Sequence, residues 1–416
     1  MPQIPRHKTL DSTLALLSDG YTFVPKLCRR YRTDIFETRL MLQPVFCTLG
    51  EEAARMFYEP DRFTRAGAIP KPTLKLLQDR GSVQLLDGEA HRRRKRMFMS
   101  LMTPAAIRQL AELTEEEWHA ATGRWTGRGE VVLLDEAQGI LCRAVCRWAG
   151  LPLGAVEAER RTREFAAMID GAGAVGPRNW RGMLLRARSE RWGREIVDDI
   201  RKGAVKPAEG SAAHVISWHE DSDGQLLDAD VAAVELINVL RPTVAIGHYI
   251  MFGALALHEH PECRQKLQAG DDEYLELFAQ EVRRFYPLFP FAGGRVRNAF
   301  SWRGHHFAEK TWVLLDLYGT NHDPRTWQEP ETFRPERFRR WDGSTFNFIP
   351  QGGGDHHDGH RCPGEWITIE LMKRALRLLT TTMRYDVPEQ DLRIDLSRMP
   401  ALPASRFVIA EVRPIS

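Results

Sequence analysis

The sequence predicts a mainly α-helical protein with small β-sheets, on three observations. Residues 229–258 are apolar almost all round and long enough for one buried central helix. From Ala105 to Ala204 apolar residues recur at helical spacing, as in Ile107, Leu110, Leu113 and Trp118, then Leu141, Val145 and Trp148. Stretches with strand character are short, at Val131–Leu134, Arg295–Phe307, Thr311–Tyr318 and the tail Tyr385–Ile415.

The 416 residues, 43% hydrophobic, are ample for a large core. Length alone suggests two or three domains, but a bound cofactor can organise one, and residues 1–416 are read as a single domain. Lys and Arg number 58 against 56 acidic residues, so no strong field steers the chain to nucleic acid. The six cysteines show no disulfide-framework spacing, which suits a reducing compartment. The N-terminus has no apolar run long enough for a signal peptide or membrane anchor, so a cytoplasmic protein is expected.

In chain order, Asp11–Leu17 is a short helix capped by Asp11 or Ser12. Tyr21–Leu49, rich in aromatic and β-branched residues, is expected to form a small sheet, and Glu51–Tyr58 a helix. Phe63–Arg80 is expected to be irregular, broken by Pro70 and Pro72. A helix beginning near Glu89 carries His91 and five consecutive cations, Arg92 to Arg96, and ends by Pro104. Such a run encircles a helix, so at least two of its side chains point inward. His91 and Lys95 share a face, four residues apart. The alternative reading of the run is a solvated basic face or a nucleic-acid patch. Gly171–Pro177 is a hinge between two helices, and Lys202–Gly210 a polar linker.

Two residues break the central helix, Arg241 and Pro242. Proline removes one helical hydrogen bond and kinks the helix. A guanidinium in an apolar helix needs an anionic partner, and Glu235, six residues back, lies on another face. That partner is either a carboxylate distant in sequence or a ligand. Downstream, Glu281 and Arg284 lie three apart on one helical face and can pair, and FRPERF follows at residues 333–338.

The segment Phe348–Glu365, FIPQGGGDHHDGHRCPGE, is the most unusual in the chain. Gly352, Gly353, Gly354 and Gly359 allow tight reversals. Cys362 precedes Pro363 and an apolar helical run, so its sulfur is expected near a helix N-terminus with a lowered pKa, suited to a metal–thiolate bond. A cysteine is otherwise most often a buried small hydrophobe. His356, His357, His360 and Cys362 offer zinc-type ligands, but their spacing matches no common zinc site and there is no second ligand pair.

Phe348–Cys362 resembles the cysteine-ligand loop of the cytochrome P450 family, in its fatty acid peroxygenase branch, where a glycine- and histidine-rich insertion lengthens the loop. The Arg241–Pro242 pair, the Glu281–Arg284 and Arg337 pieces and the His91–Lys95 helix are similar to the same branch, over nearly the whole chain. The resemblance implies a helix-rich cytochrome P450 fold with small β-sheets around a buried haem b. Cys362 would be its axial iron ligand, and His91 and Lys95 would hold its propionates, with Gly354 also in the cofactor set. Gln84 stands where the branch places Gln or His over the haem, and Gln resembles the hydroxylating members more than the decarboxylating ones. Leu288 and Phe289 would line the pocket floor. Glu281, Arg284 and Arg337 would form a buried network bracing the cysteine loop.

The activity implied is hydroxylation of long-chain fatty acids at the α or β carbon using hydrogen peroxide, without a redox protein partner. Ordinary haem-thiolate monooxygenases carry an acid and a threonine where Arg241 and Pro242 stand. The substrate carboxylate, held by Arg241, would supply the missing acid–base group. Alternatives are decarboxylation to terminal alkenes, a redox-partner-dependent monooxygenase and a non-catalytic haem sensor.

Overall fold

A computed structural model describes residues 4–415. Its body is built around the helix Ala229–Glu259, 31 residues long and buried on every side, as its all-round apolarity requires. The helix Leu133–Trp148 packs against it, as does Pro177–Arg201, whose Gly193 lies directly on Ala233. The helix Glu365–Thr381 meets a third face, with Gly253 against Leu376. Among the described residues no helix is long and apolar enough to cross a membrane.

Beside this body lies a five-stranded sheet. Its strands run in the order Ile35–Leu40, Gln43–Thr48, Trp312–Asp316, Phe291–Val296 and Phe63–Thr64. Val45 pairs with Trp312 in parallel register, and every other neighbouring pair is antiparallel, as with Ile35 and Thr48. A three-stranded sheet joins Glu130–Val132, Val408–Pro414 and Met383–Asp386, and a hairpin pairs Phe300–Trp302 with His305–Phe307.

Several boundaries differ from the sequence reading. The first helix is Thr13–Asp19, and Asp11 Oδ1 accepts the Thr13 N–H at 2.8 Å. Residues Phe23–Tyr31 form a helix rather than a strand, because Phe23, Val24, Leu27 and Cys28 fall on one buried helical face. Phe63–Arg80 is not wholly irregular: Lys71–Leu77 is a helix with Pro72 in its first turn, where a missing N–H costs nothing. The cationic helix is Gly88–Ser100, and Pro104 opens the next helix.

Within the run His91–Arg96 of the cationic helix, His91, Arg94 and Lys95 point inward. Arg94 Nη1 donates to Glu235 Oε1 at 2.9 Å, and Asp221 takes its other amino group at 2.7 Å. Glu235 also accepts the Val83 N–H at 2.7 Å, so the acid of the central helix is fully occupied.

A second buried carboxylate, Glu281, collects the pieces that the sequence left apart. Arg284 donates to both its oxygens at 2.7 and 2.8 Å, Arg337 Nε donates at 3.1 Å, and the Arg334 N–H at 2.8 Å. Arg284 also donates to the Asn321 carbonyl at 3.1 Å, and Asn321 Oδ1 accepts the Ile349 N–H at 2.8 Å. The network thereby holds the segment that enters the cysteine loop.

Two predictions follow from these buried acids. Glu281→Ala strands two guanidiniums, and breaking a buried pair costs about 3–5 kcal/mol, so the variant should melt well below the parent or fail to accumulate folded. Asp316 caps the helix Leu317–Asn321 through the Gly319 N–H at 2.8 Å, while its Oδ2 is buried without a partner. Burial raises its pKa from 3.8 to about 8. Between these values the folded state keeps a proton that the unfolded chain releases, so stability falls as pH rises through this window. Melting curves across the window should show a shallower fall for Asp316→Asn than for the parent.

Candidate active site

The cysteine loop is gripped from both ends. Cys362 N–H donates to the Gln351 carbonyl at 3.1 Å, closing the loop across its neck. Arg283 donates to Gln351 Oε1 at 3.1 Å and to Glu365, and Arg361 Nε donates to Glu365 Oε2 at 2.6 Å. Arginines on both sides hold the Glu365 carboxyl well below the usual carboxylate range. Arg283, Gln351 and Glu365 were not singled out from the sequence. Their only sequence signal is that Arg283 adjoins Arg284, and its partner lies 82 positions away.

The helix after the loop starts at Glu365, with Gly364 as N-cap, so Pro363 lies in the preceding turn and not at the first helical position. The thiol of Cys362 is consequently not lowered as expected. Burial and the Glu365 carboxylate push it up, outweighing the Gly364 N–H and the charges of Lys95 and Arg283. Coordination to a metal cation would itself deprotonate it. The other five cysteines are buried, whereas Cys362 keeps part of its surface accessible. The Gln351 amide nitrogen lies 3.8 Å from its Sγ.

Gly354 adopts φ +79°, and a Cβ there would lie 3.0 Å from Tyr58 Cβ. Its need for glycine is thus set by backbone conformation and by Tyr58. Among the described residues no group of three or more histidine, cysteine and acidic side chains stands together as a metal site.

The inward face of the cationic helix meets this loop. Lys95 Nζ donates to the Gly359 carbonyl at 3.1 Å and to the Arg361 carbonyl, and the His91 ring lies 4.0 Å from that of His360. Burial lowers Lys95 to about 8 and His91 to about 4, the latter with help from the Lys95 charge. Arg65, missed in the sequence, is also buried; it donates to the Gly293 carbonyl at 3.1 Å and lies over Phe57 at 4.1 Å. Among the described residues neither Arg65 nor Lys95 pairs with a carboxylate. Buried cations beside a reachable cysteine sulfur fit a flat, metal-bearing group whose edge carries carboxylates.

Arg241 is 7% exposed. Its Nη2 donates to the Leu77 carbonyl at 2.7 Å, and its Nε is buried without a partner. No described carboxylate pairs with it, which removes the distant-acid alternative. Burial and the charge of Arg186 lower its pKa to about 9, so it is cationic at neutral pH. Pro242 follows inside the same helix. The nearby hydroxyl of Thr243 donates to the Val239 carbonyl at 2.9 Å and is held within the helix.

Gln84 sits in the turn Val83–Leu85, and its Oε1 is buried with no partner. Leu288 is buried, its carbonyl accepting the Tyr21 hydroxyl at 2.8 Å. Phe289 is 38% exposed.

Residues 254–407 match the family described as Cytochrome P450. Curated relatives include cytochrome P450 71A8 of Mentha piperita, 26% identical over 46% of this chain. The chain spans less than half the length of such relatives, 42% of that protein. Solved structures match throughout. Cytochrome P450SP alpha (CYP152B1) is 51% identical, with a TM-score of 0.95 over 98% of this chain and 100% of that one. Cytochrome P450EX alpha (CYP152N1) with myristic acid is 44% identical, with a TM-score of 0.96 and 100% of both chains covered. Identity of this extent over full length, together with the shared architecture, means that the chain belongs to the cytochrome P450 family, in its CYP152 branch.

Proposed function

We propose that the chain is a single haem-thiolate domain that hydroxylates long-chain fatty acids at the α or β carbon with hydrogen peroxide. The observation that carries this reading is Arg241, a buried guanidinium that no described carboxylate neutralises. Support also comes from CYP152N1, whose structure holds myristic acid.

Cys362 would ligate the haem iron, and Arg65, His91 and Lys95 would hold the propionates. The haem supplies oxidising power, its thiolate ligand favouring O–O cleavage. Arg241 binds the fatty acid carboxylate through its planar fork and fixes the orientation of the head. With the head fixed, the α and β carbons are the ones nearest the reacting centre. The central helix offers no free acid at this turn, and Thr243 already donates to its own helix. The ligand carboxylate therefore takes a proton from hydrogen peroxide and returns it to the departing oxygen. Gln84 presents a free amide oxygen in place of an imidazole, which favours hydroxylation over decarboxylation.

Purified protein should show a ferric haem spectrum and, when reduced under carbon monoxide, a Soret band at the thiolate-specific position. Cys362→Ala should lose that band. A colourless protein would reject the cofactor assignment.

Arg241→Ala should abolish most turnover of myristic acid with hydrogen peroxide, measured by mass spectrometry of products. A buried carboxylate deprived of its partner costs about 3–5 kcal/mol. A short carboxylic acid should partly restore oxidation of a carboxyl-free substrate, and Arg241→Lys should remain poor because a point charge cannot replace the fork. Undiminished turnover of myristic acid by Arg241→Ala would refute the anchor.

A further inference from the structure

Arg241 does not stand alone in its compartment. Arg186, on the helix Pro177–Arg201, is 0% exposed, and both its Nη groups are buried without a partner. Only its Nε is used, donating to Glu190 Oε1 at 2.7 Å. The other Glu190 oxygen accepts from Lys75 Nζ at 2.7 Å, and Lys75 also pairs with Asp79. Lys75 belongs to the helix Lys71–Leu77, whose last carbonyl receives Arg241. Gly182, one turn before Arg186, lies so close to that helix that a Cβ would sit 3.1 Å from Leu76 Cδ1.

Arg241 is thus bonded to the first residue of the stretch 77–79, Arg186 reaches the same helix through Glu190 and Lys75, and the two charges are near enough for Arg186 to lower the Arg241 pKa. The same stretch carries further free polar atoms. Asn238 Nδ2 donates to the Gln78 carbonyl at 3.2 Å, while Asn238 Oδ1 and Gln78 Oε1 are buried and unpartnered. Buried polar atoms are nearly always satisfied, so such a concentration marks a place built for something polar. The charges indicate its sign. Lys75 and Arg186 are matched by Asp79 and Glu190, which leaves Arg241 in excess and two Nη groups of Arg186 free to donate.

We propose that Arg186 is a second positioning cation of the head-group site: its Nη groups and Arg241 together hold one carboxylate, so that the site selects an anionic head over a neutral polar one. This rests on the fatty acid reading above. Opposed donors on one carboxylate satisfy more of its lone pairs than a single fork does. A neutral alcohol of the same chain length cannot accept from both.

The test is calorimetric titration of the haem-loaded protein with dodecanoate and with dodecanol. Arg186→Gln should weaken dodecanoate by roughly tenfold or more and leave dodecanol within about twofold, as loss of one charged contact implies. Arg186→Lys should recover part of the dodecanoate affinity. Equal weakening of both ligands, or undiminished dodecanoate binding, overturns the proposal. Arg241→Ala separates the two readings. If it binds dodecanoate as the parent does, the head-group reading itself fails; if it loses dodecanoate while Arg186→Gln does not, only the role of Arg186 falls. Should Arg186→Gln not fold, Glu190→Gln reads the same charge from the other side. It leaves Arg186 less compensated and should tighten dodecanoate several-fold, and weakening would overturn the proposal.

Discussion

The central helix can be buried only if every charge it carries is answered, and that requirement shapes the structure around it. A charge withdrawn from water into an apolar interior loses its hydration and must regain it from protein groups or a ligand. Glu235 does so from Arg94, the Val83 N–H and Asn238. Arg241, less than two turns further along, regains only the Leu77 carbonyl. The contrast within one helix separates scaffold from site. An acid fully enclosed by donors fixes neighbouring elements, whereas a base left with one carbonyl is ready to take an anion.

The same contrast recurs at the cysteine loop. Glu281 and Glu365 are each surrounded by arginines, and together they hold the loop from its entry at Ile349 to the helix after Cys362. Arg65 and Lys95, which face that loop, bond only to backbone carbonyls. Acids are thus spent on fixing the loop, and the unanswered cations lie where a carboxylate-bearing cofactor would dock. Rigid support of this kind would matter for the proposed role of Cys362, because a sulfur that ligates a metal must hold its position.

How far the sequence could be read follows from the range of each interaction. The central helix was legible almost to its ends, 229–258 against Ala229–Glu259, because all-round apolarity over such a length has no other stable solution. Arg241 was legible for the same reason, as a charge in a place that could not solvate it. Phe23–Tyr31 was misread because its aromatic and β-branched residues favour strands locally, and only packing shows that they lie on one helical face. The helix Lys71–Leu77 was hidden by prolines that in fact open it. Arg283 was passed over because Glu281 and Arg284 already formed a plausible local pair, while its own partner, Glu365, is remote in sequence. Arg186 gave no signal at all, since a basic residue in a helix rich in arginine looks solvated until burial is known.

Net charge illustrates why position outweighs composition here. The chain totals +2, a value that excludes strong long-range steering and suggests nothing more. Exposed charges contribute little to local chemistry, because water and salt screen them within about 10 Å. Inside, the screening is weak, and an unmatched guanidinium acts far more strongly on its neighbours than a surface charge does. On the function proposed above, that surplus, on a turn of helix with no free acid, would hold a carboxylate and draw on it for proton transfer. On that reading recognition and catalysis would be coupled by the same charge, and a molecule without an acidic head would need a separate carboxylate to complete the site.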